Sequence, residues 1–502
     1  MGGLRATLEI LPRTALQALH RKDFPMSRRT ITQKIFSRVT PLALTTVLVA
    51  LTMLSIPAVA QDSDNNDDDR DNKVVSTYFQ NFHLFGGIFL RRLVDNGVAP
   101  KLNLLVHAFV DIRADQNGNP HCAAFDEFAD YQFFFDQTRS VDGSVYSFAP
   151  GALRGQVNQL RELKKLFPKL KILASIGGFS AGTHGFEAAS ATPASRKAFV
   201  ADCINSYVNG NFGNTTGLAP IFDTGFFEQP AISINPVPGI FDGFDIDWEF
   251  PRRPQDRANF VALLKEFRDQ LRAAGPGHIL TAALPAGEQD FSLIDLPGAS
   301  AQVDFVNLLT FDYSGPFNNH TGFVSPLVQT QFDASTQFNV TFTVESYLNA
   351  GVPANKILMG IPFYSYGWAI TGTSAPNQHG QFVAAVNPNA PDSGNPPNYS
   401  GTVAIQLDPA LAGVAATETH TFIDLHVIPF GQVFHEPKAQ TPYTFDGLNF
   451  WTYEDAQSLA VKGKFAREHH LRGAFIFEEP DELPDGSLFN AVFNAVHGTA
   501  NH

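Results

Sequence analysis

Between Phe241 and Pro251 the chain reads Phe-Asp-Gly-Phe-Asp-Ile-Asp-Trp-Glu-Phe-Pro, which puts acids at Asp242, Asp245, Asp247 and Glu249. In an extended strand successive side chains point to opposite faces. Asp245, Asp247 and Glu249 therefore share one face, and Phe244, Ile246, Trp248 and Phe250 the other. Neighbouring acids on the first face stand about 6 to 7 Å apart. Away from water, carboxylates this close cannot all ionise cheaply, and at least one is expected to keep its proton near neutral pH. A carboxyl held in that state is what a general acid needs. Glu249, at the end of the run, is the natural donor, with Asp247 one step inward as its partner. Two other readings of the pattern compete: an edge strand whose acids face water, and a metal site. The acids lie in a row instead of around a point and no His accompanies them, so no metal and no cofactor is expected.

A row of acids needs a scaffold that presents its end to a ligand. From Lys73 onward, short β-branched runs alternate with helical stretches, as βα units around a parallel sheet do. The expected strands are Val74 to Phe79, Leu102 to Asp111, Lys171 to Gly177, Gly243 to Glu249, Ile279 to Leu284, Val303 to Phe311, Ile357 to Tyr364 and Gly473 to Phe477. Helices are expected near Val157 to Phe167 and Ala194 to Val208. Eight strands are the number that closes a TIM (β/α)8 barrel, an α/β fold whose active sites open at the C-terminal strand ends, where Glu249 lies. Two stretches break the rhythm. Ile112 to Gly151 is a long aromatic-rich excursion, too long for an ordinary loop and expected to wall the ligand groove. Residues 369–444 read as a small α+β insertion subdomain between strands 7 and 8, within a catalytic region covering 73–502. No internal repeat or appended binding module is found.

The chain has 502 residues and is 44% hydrophobic, enough for one large barrel domain with insertions. A formal net charge of -14 excludes a nucleic-acid partner, which requires clustered Lys and Arg. Cys122 and Cys203 are too few for a disulfide scaffold or a structural zinc site; one disulfide or two buried thiols both remain open. Arg28, Arg29, Lys34 and Arg38 precede an apolar run from Pro41 to Pro57 that ends in Ala58-Val59-Ala60. Residues 1–60 thus read as a signal peptide region cleaved after Ala60, with Met26 as a possible start. The competing reading, a membrane anchor, is weakened because Thr and Ser break the run and no basic stop follows. Residues 61–72 form an acidic, Asn-rich spacer expected to be disordered. The product is expected to be exported, extracellular or periplasmic, and monomeric. Sequons stand at Asn214, Asn319, Asn339 and Asn398.

The run Asp242-x-x-Asp245-x-Asp247-x-Glu249 resembles the signature of glycoside hydrolase family 18, the chitinase family, at all four acids. Ser175-Ile176-Gly177-Gly178 looks like that family's second signature, and Gly360-Ile361-Pro362-Phe363-Tyr364 with Gly367-Trp368 its seventh-strand motif. The likeness spans nearly the whole mature chain. It implies a retaining, substrate-assisted hydrolysis of chitin or other N-acetylglucosamine-containing glycans, an exception to the two-carboxylate scheme. Glu249 would be the general acid, Asp247 would hold the acetamido nitrogen, and Asp245 would share a proton deeper in the barrel. Tyr78 and Ser175 would support that inner aspartate, and Asp312 would brace the acetamido group. Phe82, Phe179, Trp248, Phe311, Tyr364 and Phe477 complete the substrate-binding set.

The chain departs from the family at Phe311, where a tyrosine is usual, and at Phe477, where a tryptophan floors the cleavage subsite. Phe82 and Phe179 likewise stand where relatives often carry Trp, and each is open to a plain core role. Losing the phenol at 311 removes about 1.5 to 3 kcal/mol of hydrogen bonding to the intermediate unless Tyr313 or a water replaces it. The leading expectation is an endo-acting chitinase. Two others stand beside it: an endo-β-N-acetylglucosaminidase acting on N-glycans or cell-wall glycan, and a non-catalytic glycan-binding relative. Such lectins typically replace the acid that Glu249 supplies.

Overall fold

The structure is a computed structural model that describes residues 72–145, 149–179, 185–213, 219–220, 233–315, 317–385, 398–400 and 432–499. The signal peptide region, the Met26 start, the spacer through residue 71 and most of the expected insertion lie outside the described residues. Among the described residues no helix is long and apolar enough to cross a membrane.

In chain order the strands are β1 (Val74–Gln80), β2 (Leu104–Ala114), β3 (Pro120–Ala124), β4 (Lys171–Gly177), β5 (Ala219–Pro220), β6 (Gly243–Asp247), β7 (Ile279–Pro285) and β8 (Phe305–Leu309). They continue as β9 (Ile357–Pro362), β10 (Tyr366–Ala369), β11 (Asn398–Ser400), β12 (Gln432–Glu436), β13 (Thr441–Phe445), β14 (Asn449–Thr452) and β15 (Gly473–Phe477). Strands β1, β2, β4, β6, β7, β8, β9 and β15 are parallel neighbours in that order. Because β1 pairs with both β2 and β15, the sheet closes into a (β/α)8 barrel. These strands are buried on both faces because one face meets the surrounding helices and the other fills the lumen.

Phe244, Ile246 and Trp248 turn outward into the large core between strands and helices, with Phe199, Phe260 and Phe267. The lumen is divided. One side is an apolar cluster of Val74, Tyr78, Val106, Phe109, Leu358 and Phe475, with Phe311 and Phe477 against it. The other side carries Ser175, Asp245, Thr281 and Asn307, all fully buried. Burying a side chain such as Phe475 stabilises the fold by about 1.5 to 3 kcal/mol; the polar side gains stability only if every group finds a partner.

Strand β8 ends two residues before the expected Phe311. The amides of Thr310 and Phe311 fold back onto the carbonyls of Leu308 and Leu309. That turn delivers Asp312 in a left-handed conformation, φ 58°, which Asp tolerates better than most residues.

The excursion after β2 begins as a hairpin, β2 with β3, whose turn is held by Asp115 accepting the amides of Asn117 and Asn119 at 2.8 Å each. Cys122 on β3 is disulfide-bonded to Cys203 at the end of the helix Pro193–Cys203, with a Cα–Cα distance of 5.1 Å. This decides between the disulfide and the two buried thiols. Between β9 and β15 the described residues form a five-stranded antiparallel sheet, ordered β11-β10-β14-β13-β12, around Phe323, Trp368, Tyr443 and Phe450. It starts at Tyr366 and ends at Thr452, so it overruns the expected 369–444 at both ends.

Of the sequons, Asn319 is exposed, whereas Asn339 is buried as the cap of the helix Val340–Asn349. Its oxygen accepts from Phe342 N and its nitrogen donates to Thr336 O, leaving no accessible amide to modify. Asn214 and the side chain of Asn398 lie outside the described residues.

Candidate active site

The four acids run from the floor of the barrel to its mouth, with Asp245 and Asp247 on β6, Asp242 just before it and Glu249 two residues past its end, short of the expected strand to Glu249, and each has a different environment. Asp242, just before the strand, bonds Lys164 Nζ at 2.5 Å and Lys171 Nζ at 2.9 Å and accepts the Ile172 amide. It is a structural tie at the end opposite the mouth.

Asp245 sits in the lumen beside Ser175 of β4 and Thr281 of β7, its lateral partners in the sheet register. Its Oδ2 accepts from Tyr78 Oη and Ser175 Oγ, both at 2.8 Å. Its Oδ1 accepts from Thr281 Oγ1 at 2.6 Å and Asn307 Nδ2 at 3.1 Å. Burial pushes this carboxyl above its ordinary range, and the four donors pull against that. The sequence pointed to Tyr78 and Ser175 as its supports. Thr281 and Asn307 were missed, although each is a lone polar residue inside an otherwise apolar strand.

Asp247 is 3% exposed and its Oδ1 has no hydrogen-bond partner. Burial first, then the charges of Glu249 and Asp245, hold its carboxyl well above the usual range. A proton shared directly between Asp247 and Asp245 was expected, but four side chains already fill the accepting positions of Asp245. In this arrangement the two acids interact through charge.

Glu249 stands at the mouth, half-buried. Burial, then the nearby charge of Asp312, push it up to about 7, while Arg252 opposes the shift. The Arg252 guanidinium is held by Asp290, with Nε to Oδ1 at 2.6 Å and Nη2 to Oδ2 at 3.2 Å, and lies over the Phe250 ring at 5.5 Å. Neither Arg252 nor Asp290 was singled out from the sequence.

Asp312 comes from the far wall. It is open to solvent on one side yet set deep among protein atoms; burial raises its carboxyl, and the hydroxyls of Tyr364 and Tyr366 counter this. Tyr364 Oη donates to Asp312 Oδ1 at 2.6 Å. Phe311 is wedged edge-on against Tyr364 and Phe475 and tilted against Phe477. Tyr313 does not replace the phenol missing at 311: it is buried, with its hydroxyl 2.7 Å from Thr343 Oγ1.

Two glycines open the space beside the acids. Gly177 has φ 104°, and a Cβ there would lie 2.3 Å from the Asp247 carbonyl, which accepts the Gly178 amide at 2.9 Å. The Ser175–Gly178 motif thus sets how closely β4 approaches β6.

The expected aromatic binders divide. Phe179 is 85% exposed at the rim, and Phe82 is half-buried against His83, ring centroids 5.0 Å apart. Phe477 lies 5.5 Å from Tyr78 in the lumen. Trp248 does not belong with them. It is 1% exposed and stacks on Phe186 at 5.2 Å, because strand alternation aims it at the helices. Next to Phe477, Glu478 takes hydrogen bonds from Gln80 N, Gln80 Nε2 and the His83 ring, linking the ends of β1 and β15.

A family model described as "Glycosyl hydrolases family 18" matches residues 74–479. The chain is 28% identical over 442 residues to "Chitinase C" of Streptomyces lividans, covering 85% of this chain and 61% of that one. It is 29% identical over 353 residues to a "Probable endochitinase" of Caenorhabditis elegans, covering 67% of this chain and 49% of that one. The chain therefore spans between about half and three-fifths of the length of these relatives. Among solved structures, the catalytic domain of psychrophilic chitinase B from Arthrobacter TAD20 superposes with a TM-score of 0.70 at 25% identity, covering 86% of this chain and 97% of that one.

Proposed function

Because the chain belongs to the glycosyl hydrolases of family 18, we propose that it cleaves β-1,4 bonds of chitin or chito-oligosaccharides by a retaining, substrate-assisted route. Glu249 gives its proton to the glycosidic oxygen as the C1–O bond breaks. The acetamido oxygen of the same sugar forms a bond to C1, giving an oxazolinium. Asp247 accepts the acetamido N–H and offsets the positive charge. Glu249, now ionised, takes a proton from water as that water attacks C1 from the face the leaving group vacated; the bond from C1 to the acetamido oxygen breaks in the same step, restoring the acetamide. No enzyme nucleophile is consumed, and the anomeric configuration is kept.

The observation that carries this reading is the pairing of Glu249, held protonated to about 7, with a buried Asp247 oxygen that has no partner of its own. The first suits a donor; the second is an acceptor awaiting an N–H. Tyr364 and Asp312 would hold the sugar from the opposite wall, and Phe179, Phe82 and Phe477 would stack on successive rings. We further propose that the protein is exported after loss of residues 1–60 and acts as a monomer on soluble oligomers or amorphous polymer.

Glu249→Gln keeps shape and removes the proton, so hydrolysis of chito-oligosaccharides should drop by about 10²- to 10⁴-fold. An unchanged rate would sink the proposal. Nuclear magnetic resonance of the first product formed should show the β-anomer, and an initial α-anomer would exclude retention.

A further inference from the structure

Phe82 and Phe477, both expected to meet sugar, stand on different elements, and a buried carboxylate joins those elements. Glu478 directly follows Phe477 at the end of β15 and is 4% exposed. Its Oε2 accepts Gln80 N at 3.1 Å, and its Oε1 accepts Gln80 Nε2 at 2.5 Å. The same Oε1 lies 2.7 Å from Nε2 of His83, in the short 3₁₀ helix Asn81–Gly86 that leads out of β1. The His83 imidazole lies against Phe82, ring centroids 5.0 Å apart, and edge-on to the core ring of Phe79 at 6.4 Å. On the other side of Phe82, Asn81 is tied as well: its Nδ2 donates to Asp130 Oδ2 at 3.3 Å, and its carbonyl accepts Gln156 Nε2 at 2.6 Å. Phe82 thus stands half-buried between two buried, anchored neighbours.

We propose that His83 is a positioning residue: held by Glu478, it sets where the Phe82 ring stands relative to Phe477, and so governs the binding of glycans long enough to reach both rings. This rests on the chain binding N-acetylglucosamine polymers. A phenyl ring meets a sugar over a small area, so a displaced Phe82 forfeits much of that contact. The bond that holds it is a strong one. Burial pulls the His83 imidazole down, but the charges of Glu478, Asp481 and Glu479 outweigh it, and the ring keeps its second proton above its ordinary range. A charge-assisted hydrogen bond away from water is stronger than a neutral one. Behind the pair, Glu479 Oε1 accepts Asn96 Nδ2 at 3.0 Å and lies 3.6 Å from Arg92 Nε, so the neighbouring acid engages both of those donors and Glu478 serves His83 and Gln80.

His83→Phe keeps a ring beside Phe82 and removes the donor, whereas His83→Gln keeps a donor at similar reach. In the Glu249→Gln protein, calorimetric titration should show His83→Phe weakening the N-acetylglucosamine hexamer by about tenfold and the dimer by less. His83→Gln should restore most of the hexamer affinity. In a Phe82→Ala background His83→Phe should add nothing, which separates positioning of that ring from general loosening. With Glu249 in place, KM for the hexamer should rise while kcat changes by less. If His83→Phe does not fold, the unaltered residue carries the test: with imidazoles labelled with nitrogen-15, the hexamer should shift the His83 resonance, and one that stays put overturns the proposal. It is equally overturned by an equal loss for hexamer and dimer, by a His83→Gln protein no better than His83→Phe, or by a further loss once the Phe82 ring is gone. A Glu249→Gln protein that binds neither oligomer would instead overturn the chitin reading, and this inference with it.

Discussion

Tyr78 Oη lies 2.8 Å from Asp245 Oδ2 and is itself the acceptor of Asn307 Nδ2 at 2.9 Å, so one phenol joins two other strands to the first. Tyr78→Phe would leave Asp245 with three donors and remove an acceptor from Asn307 in the sealed half of the lumen. The expected cost is about 1 to 3 kcal/mol of folding stability, measured by denaturant titration. A loss within error would mean that a water or a rotated Asn307 replaces the phenol.

Asp247 gives a prediction of opposite sign. Its folded carboxyl binds a proton more tightly than the unfolded one, so its contribution is favourable in acid and is lost as pH rises above the ordinary carboxyl range. Asp247→Asn removes that loss. The variant should melt at a higher temperature than wild type at pH 8, with a smaller difference at pH 4, while hydrolysis falls by at least about tenfold. Equal melting at both values would show that the buried oxygen costs nothing.

Arg252 opposes the upward shift of Glu249, so Arg252→Ala should move the alkaline limb of kcat/KM, expected near pH 7 in wild type, to higher pH. The guanidinium is largely exposed, and raising the salt concentration should shrink the difference between the two enzymes. A limb that does not move would separate Arg252 from the donor.

The disulfide between Cys122 and Cys203 closes a span of 81 residues and pins the β2–β3 hairpin to a helix on the outside of the barrel. Replacing both cysteines by serine should cost about 2 to 4 kcal/mol in equilibrium unfolding. Reductant should destabilise wild type and leave the double variant unchanged. The acids on β6 lie elsewhere, so turnover at room temperature should survive.

What the sequence made legible was whatever repeats locally. The alternation of Asp245, Ile246, Asp247, Trp248 and Glu249 assigns each side chain to a face before any fold is known, and the same rule sends Trp248 to the core. The eight strands were visible because short β-branched, largely apolar runs alternate with helical stretches. Contacts between strands far apart in the chain were not visible: Asn307 and Tyr78 meet across 229 residues. Tyr366 lies 5.2 Å from Tyr364, ring to ring, because the inserted sheet begins earlier than its composition suggests. Gly177 looked like a turn residue, and only the nearby Asp247 carbonyl shows that it keeps two strands at their working distance.

The path from the lysine-paired Asp242 through β6 to Glu249 at the rim also determines which genetic changes the site can survive. Losing one codon between 243 and 249 would exchange the two faces for the residues on one side of the deletion, turning apolar side chains into the lumen and acids toward the helices. The same deletion in the exposed turn at 115–119 would shorten a loop that carries none of this machinery. Over evolutionary time β6 should therefore change by replacement of residues and hold its length, with insertions and deletions confined to the connections around it.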